Sequence, residues 1–277
     1  MKILRNILVK KLPTYATDIF LVSYAVIYKL ITLNLVTKPK KIDANLKTVA
    51  ILGNGPSLEN DIESIIENKT NFNIYVVNYF ANTKYFCNLK PSTYVLADPI
   101  FWREKIGSKY IKDNSKLINN LLNVNWNMTL VCREEGYSLI KKQLLPNKNI
   151  NVVKLPSYWF DIRTEKANIF ALKFRISSPN FVNVLIAAIW HALLIGSKNI
   201  ELYGADYSGF KNFQVDQATN KVYSSSSHFY KESNDSREMI ADKYEGEKPK
   251  MINIRFYQLW LGFRQMHLLS KVSNLWG

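Results

Sequence analysis

Apolar residues in this chain come in short runs, each closed by glycine, asparagine or aspartate. The first clear run is Lys47-Thr-Val-Ala-Ile-Leu52, which ends at Gly53-Asn-Gly-Pro-Ser57. A run of that length, rich in aliphatic residues, predicts a buried parallel strand entering a glycine turn. Ser57 is placed to cap a helix reaching about Asn68, with Glu59 and Asp61 in its first turn, where the helix dipole favours acids. The pattern repeats at Phe72 to Val77, ending at Asn78, and at Thr93 to Ala97, ending at Asp98-Pro99. Met128 to Cys132 and Asn151 to Leu155 read as further strands. Phe181 to Leu194 reads as a long apolar helix, and Asn199 to Tyr203 as a strand entering Gly204-Ala-Asp206. Strands alternating with helices predict an α/β, Rossmann-like fold: a parallel sheet with helices on both faces. Such sheets bind ligands beyond the carboxyl ends of their strands, and Asn54, Asn78, Asp98 and Asp206 all fall there.

The two ends of the chain have a different pattern. Ile19 to Val36 is apolar apart from Ser23, Lys29, Thr32 and Asn34. No small-residue cleavage site follows it, so a cleavable signal peptide is not expected. Lys29 lies near its middle, where a charge opposes a membrane span. The expectation is a helix lying on the cytoplasmic face of a membrane; the plain alternative is a helix packed against the domain or a sister subunit. Near the other end, Leu259, Phe263, Met266 and Ser270 share a helical spacing and predict a face packed on the core, with the remaining tryptophan and basic residues facing a membrane interface or an oligomer contact. From Gly209 to Gly246 the chain turns polar, too long for a plain connection. The embedded Ser227-His228-Phe229-Tyr230 favours a lid over the site, set at about 209–235. The expected organisation is a basic helical segment over 1–45, an α/β domain over 46–246 and a basic helical segment over 247–277.

Composition narrows the function classes. The chain has 277 residues, 47% hydrophobic and 21% charged, an ordinary globular balance that excludes a disordered or collagen-like chain. Its formal net charge is +15, which suggests an anionic partner. Residues 1–41 carry Lys2, Arg5, Lys10, Lys11, Lys29, Lys38, Lys40 and Lys41 against Asp18 alone. Lys248, Lys250, Arg255, Arg264 and Lys271 face no acid in the last 30 residues. The excess is therefore terminal and mixed with apolar residues, unlike the basic stripe of a nucleic-acid binder. An anionic membrane surface fits better, and no nucleic-acid partner is expected. The 29 asparagines, alongside many Lys and Ile, also fit an AT-rich coding bias. Two cysteines, Cys87 and Cys132, are too few for a disulfide framework and predict a cytosolic setting.

The chemistry at the strand ends is specific in part. Gly53-Asn-Gly-Pro-Ser57 gathers backbone N–H groups at a helix N-terminus, which suits a phosphate; it lacks the P-loop ending and the full dinucleotide pattern. Asn78 can bond a ribose or base, or fix its own turn. Arg175-Ile-Ser-Ser178 offers a guanidinium and two hydroxyls to a carboxylate, or an ordinary helix cap. Of the histidines, His191 in Trp190-His-Ala-Leu-Leu194 reads as a core residue and His267 as surface or interface. His228 in the polar stretch can serve as general base. No two aspartates stand two apart and no zinc spacing occurs, so a metal-independent mechanism with no cofactor is the default. The absence of a Gly-x-Ser-x-Gly elbow argues against a serine hydrolase.

Taken in order, Gly53-Asn-Gly-Pro-Ser-Leu58, Val77-Asn-Tyr-Phe80, Asp98-Pro99, Arg175-Ile-Ser-Ser178, Gly204-Ala-Asp-Tyr207 and Ser227-His228 resemble the motifs of the bacterial CMP-sialic-acid-dependent sialyltransferases of lipooligosaccharide synthesis. The domain of flagellin-glycosylation proteins and archaeal-type 6-hydroxymethylpterin diphosphokinases looks similar. The resemblance covers about Lys47 to Tyr230. It implies a GT-A-like variant of the Rossmann fold acting on a CMP-sugar donor and a glycan or glycolipid acceptor. Donor contacts would come from Gly53, Asn54, Gly55, Ser57, Asn78 and Asp98, with Arg175, Ser177 and Ser178 near the sugar carboxylate and Gly204 and Asp206 lining the cytidine pocket. The family usually has Asn where this chain has Asp98. His228 would be the base, and Tyr207 and Tyr223 are candidates to stabilise the leaving phosphate. The expected reaction is inverting transfer of sialic acid or a related nonulosonic acid, on the inner face of the cytoplasmic membrane. The alternative is pyrophosphate transfer to a pterin, which would need Mg²⁺.

Overall fold

The computed structural model describes residues 13–32, 48–103, 108–197, 199–206, 213–215, 222–224, 238–239 and 261–271. Six parallel strands form the centre: β1 (Thr48–Leu52), β2 (Phe72–Val77), β3 (Thr93–Leu96), β4 (Met128–Arg133), β5 (Ile150–Leu155) and β6 (Ile200–Tyr203). Their order is β5-β4-β3-β2-β1-β6. The chain steps outward from β1 to β5, then returns to the far side of β1 for β6. The direction of winding thus reverses between β1 and β6, and open α/β sheets hold ligands at such a reversal. This is the α/β Rossmann-like sheet that the alternating runs predict.

Both faces of the sheet are covered, which is why its strands read as continuous apolar runs. Ala50, Leu52, Ile74, Val76, Tyr94, Leu96, Leu130 and Cys132 point to one side, against α2 (Leu58–Glu67), α3 (Phe86–Leu89), α4 (Ser108–Leu122) and α5 (Glu134–Gln143). Val49, Ile51, Tyr75, Val77, Val95 and Val131 point to the other, against α7 (Val184–Leu194). Every residue of α7 from Leu185 onward is buried, as an all-apolar helix requires. His191 is among them. Burial pushes its imidazole down to about 4, and its Nδ1 shares a 3.1 Å hydrogen bond with the Tyr75 hydroxyl. It is the core histidine expected, held neutral.

The N-terminal helix α1 (Thr14–Thr32) packs on α6 (Glu165–Lys173) through Thr17, Asp18, Leu21 and Ala25. The Asp18 carboxylate accepts from the backbone N–H groups of Arg163 (2.8 Å) and Thr164 (2.7 Å), at the N-terminus of α6. Lys29 Nζ donates to the Phe174 carbonyl at its C-terminus (2.7 Å). Lys29, which interrupts the apolar segment, and Asp18, just before it, therefore bind the two ends of a parallel neighbour, each at the pole its sign favours. Hydrogen bonds to a charged group contribute roughly 1.5–3 kcal/mol each, and stranding the two N–H groups adds to the loss. Asp18→Ala is expected to destabilise the fold by about 3 kcal/mol, and Asp18→Asn by less; urea titration of the full chain measures both.

Two helices differ from the sequence reading. The apolar helix begins at Val184 and not Phe181, because Asn183 Oδ1 accepts from Ile186 N (3.0 Å) and caps it there. The C-terminal helix α8 (261–271) buries Leu261, Gln265, Leu268 and Leu269 and turns Phe263 and Ser270 outward. Its core face is rotated from the expected one, and the buried polar Gln265 is what hid it. Arg264 and Lys271 bind the start of α6 from this side, on the Ile162 and Arg163 carbonyls and the Glu165 carboxylate. Of the stretch read as a lid, 209–235, the described residues are two short strands, β7 (Phe213–Val215) and β8 (Val222–Ser224), which pair antiparallel; β9 (Glu238–Met239), beyond it, pairs antiparallel with β8.

Candidate active site

Beyond the carboxyl ends of β1 and β6, two turns close onto each other. Gly53 N donates to the Tyr203 carbonyl (2.7 Å) and Gly55 N to the Gly204 carbonyl (2.8 Å). A side-chain carbon on Gly53 would lie 2.3 Å from the Gly204 oxygen, so only glycine permits this approach. Gly204 adopts φ +61°, the left-handed region open to glycine. These glycines serve a backbone seam.

That seam changes the expected phosphate cradle. Ser57 does not cap α2: its backbone is already helical and its side chain makes no cap bond. Its N–H instead donates to Asp206 Oδ2 (3.1 Å), and a side-chain carbon on Gly55 would stand 1.9 Å from that same oxygen. The N-terminus of α2 thus already holds an anion, supplied by the protein. The N–H groups of Gly53, Gly55 and Ser57 are engaged within the chain, and the Asp206 charge repels a phosphate from that point.

What the strand ends leave open is a set of amide groups. Asn54 Oδ1 and Asn78 Oδ1, at the ends of the adjoining strands β1 and β2, are buried without a hydrogen-bond partner, as is Asn183 Nδ2. Because α7 leads into β6, its first turn and Asn183 lie at the same end of the layer. Buried polar atoms are almost always paired, and these three lie at the edge of the sheet where open α/β folds take ligands. Asn78 sits at φ +51°, a conformation asparagine tolerates. Its turn is pinned by the Tyr94 hydroxyl, which donates to the Asn78 carbonyl and accepts from Ala81 N. Asn183 carries no signal that sequence could separate from an ordinary cap.

Other expected site residues are placed elsewhere. Asp98 is exposed and its Oδ1 accepts from Ile100 N (2.9 Å), capping the short turn Pro99–Phe101. Arg175 ends α6: at φ +55°, its N–H donates to the Leu172 carbonyl while Ile176 N donates to Ala171, a Schellman stop with arginine in the usual glycine position. Its guanidinium donates to the Leu194 carbonyl (3.3 Å) at the C-terminus of α7, the end remote from Asn54 and Asn78. Ser177 and Ser178 are buried; Ser177 Oγ accepts from Phe160 N, and the two hydroxyls donate to the Ser178 and Pro179 carbonyls. The Arg175, Ser177 and Ser178 side chains thus all make bonds within the chain. His228 and Tyr207 lie outside the described residues. Tyr223 lies on β8.

A cleft of about 400 Å³ opens beside the end of β3, between α4 and α5, lined by Leu96, Trp102, Arg103, Asn114, Asn119 and Gln143. Trp102 lies flat on Gly136, where any side chain would meet its ring at 2.4 Å. Among the described residues no group of three His, Cys, Asp or Glu side chains is placed to hold a metal ion.

No protein-family model matches the chain, and no curated protein matches it. Among solved structures, it is similar to the MAf glycosyltransferase from Magnetospirillum magneticum AMB-1, with 16% sequence identity and a TM-score of 0.37. The match covers 65% of this chain and 25% of that one, so the chain spans about a quarter of its neighbour's length.

Proposed function

We propose that the chain is a glycosyltransferase that moves sialic acid or a related nonulosonic acid from a CMP-activated donor to a glycan or glycolipid acceptor. The observation that carries this reading is the pair of unpartnered carbonyl oxygens, Asn54 Oδ1 and Asn78 Oδ1, at the carboxyl ends of the adjoining strands β1 and β2. Unpartnered acceptors along one edge of the sheet suit a ligand rich in donors. The ribose hydroxyls and exocyclic amine of a cytidine are such donors, whereas a bare phosphate is not. In this reading the nucleoside sits over the ends of β1 and β2. The donor's acidic groups lie toward the first turn of α7, which carries no acidic side chain.

Transfer is a single displacement. The acceptor hydroxyl oxygen forms a bond to the anomeric carbon, the bond from that carbon to the phosphate oxygen breaks, and CMP leaves with the electron pair. His228 takes the hydroxyl proton, and Tyr207 and Tyr223 donate hydrogen bonds to the departing phosphate. The configuration inverts, and the segment 209–235 covers the donor against water. No cofactor is required in this scheme.

A thermal-shift series with CMP, CDP, UDP, GDP and ATP, with and without Mg²⁺, tests the donor class. Stabilisation by CMP in the presence of EDTA is expected. Stabilisation by ATP alone, and only with Mg²⁺, would favour pyrophosphate transfer instead.

A further inference from the structure

The side of α1 turned away from α6 is apolar and open. Helical spacing sets Ile19, Phe20, Ser23, Ile27, Leu30 and Ile31 opposite the docked face, with Ile19 66%, Leu30 64% and Ile31 77% exposed. Ser23 is its one polar residue, and it carries no charge. From Ile19 to Ile31 it runs about 18 Å along the helix axis. α6 carries an exposed aromatic pair of its own, Phe170 and Phe174, with ring centroids 4.6 Å apart, and Lys29 bonds the Phe174 carbonyl. Lys166, also exposed, lies one turn before Phe170.

Charge identifies the partner. Lys2, Arg5, Lys10 and Lys11 precede the helix in sequence, and Lys38, Lys40 and Lys41 follow it. The lone acid of residues 1–41, Asp18, is buried against α6. Apolar side chains bracketed by cations at both ends match an anionic lipid surface. They do not match a span, whose basic flank gathers on one side. Crossing the bilayer would also strip Asp18 and Lys29 from the ends of α6.

We propose that α1 is an in-plane membrane anchor: its outer face enters the headgroup–acyl boundary of an anionic bilayer while Asp18 and Lys29 hold its inner face on α6. The catalytic sheet then stands at a fixed height over the membrane, within reach of lipid-linked acceptors. The anchor itself does not rest on the proposed sugar chemistry.

Vesicle flotation of the full chain tests it, using phosphatidylcholine with and without phosphatidylglycerol. Wild type is expected to float with the anionic vesicles and about tenfold more weakly with the neutral ones. The triple variant Ile19→Ser, Ile27→Ser, Leu30→Ser is expected to lose about tenfold or more of that binding with an unchanged thermal midpoint, since all three positions are exposed. Ile27→Trp, quenched by brominated lipid, reports insertion without removing apolar surface. Failure of wild type to float, equal flotation of the triple variant, or an unquenched tryptophan overturns the proposal. So does retention of the chain by the membrane after alkaline carbonate extraction, which marks a span. A dimer that the triple variant splits without losing vesicle binding assigns the face to a second copy.

Discussion

Gly53→Ala is expected to cost about 3 kcal/mol or more in urea unfolding, although it adds a single carbon. The added carbon would lie 2.3 Å from the Gly204 oxygen and 3.2 Å from the Tyr203 oxygen. Both are backbone atoms of the neighbouring turn, so no side chain can swing away. The β1 and β6 turns must separate, and the bonds from Gly53 and Gly55 to the Tyr203 and Gly204 carbonyls weaken together. Gly196→Ala is the control: at φ +93° it is strained, yet its side chain would meet nothing within 4 Å. Its cost is expected near 1 kcal/mol. Equal effects at the two glycines would mean that the seam does not hold the strand ends together.

His228→Ala is expected to lower the rate of transfer about 10²–10⁴-fold, the usual contribution of a positioned general base. In the proposed reaction the acceptor hydroxyl cannot attack efficiently while it keeps its proton, and no other histidine is available. His191 is buried in α7 and His267 lies on the surface beside Glu165 (3.8 Å). CMP binding is expected to stay at the wild-type level, because the donor contacts assigned here come from the strand ends. Parental transfer by the variant would remove His228 from the mechanism. Loss of transfer together with loss of CMP binding would make it a donor-binding residue instead.

The sheet was legible because its four inner strands, β1 to β4, are buried on both faces. Runs such as Thr48–Leu52 and Phe72–Val77 need no alternation to be recognised, and the residues closing them mark the strand ends. Contacts between distant residues were not legible. The Asp206–Ser57 bond joins positions 149 apart in sequence, and it turns an apparent phosphate loop into one already holding a carboxylate. Arg175 ends a helix without the glycine that usually signals such a stop, so its motif resembled a ligand site. Lys29 looked like an obstacle to an apolar helix because its partner, the Phe174 carbonyl, lies 145 residues away. Strands of two or three residues, such as Glu238–Met239, are too short to show a period in a polar stretch.

Calorimetric titration of CMP into wild type, Asn54→Ala and Asn78→Gly, all in EDTA, tests the site most directly. Glycine is used at position 78 because φ +51° would strain alanine. CMP is expected to bind wild type, and each variant about tenfold more weakly, the loss of one hydrogen bond to the nucleoside. Wild-type affinity in both variants, or no CMP binding to wild type, would contradict a cytidine seated on the ends of β1 and β2.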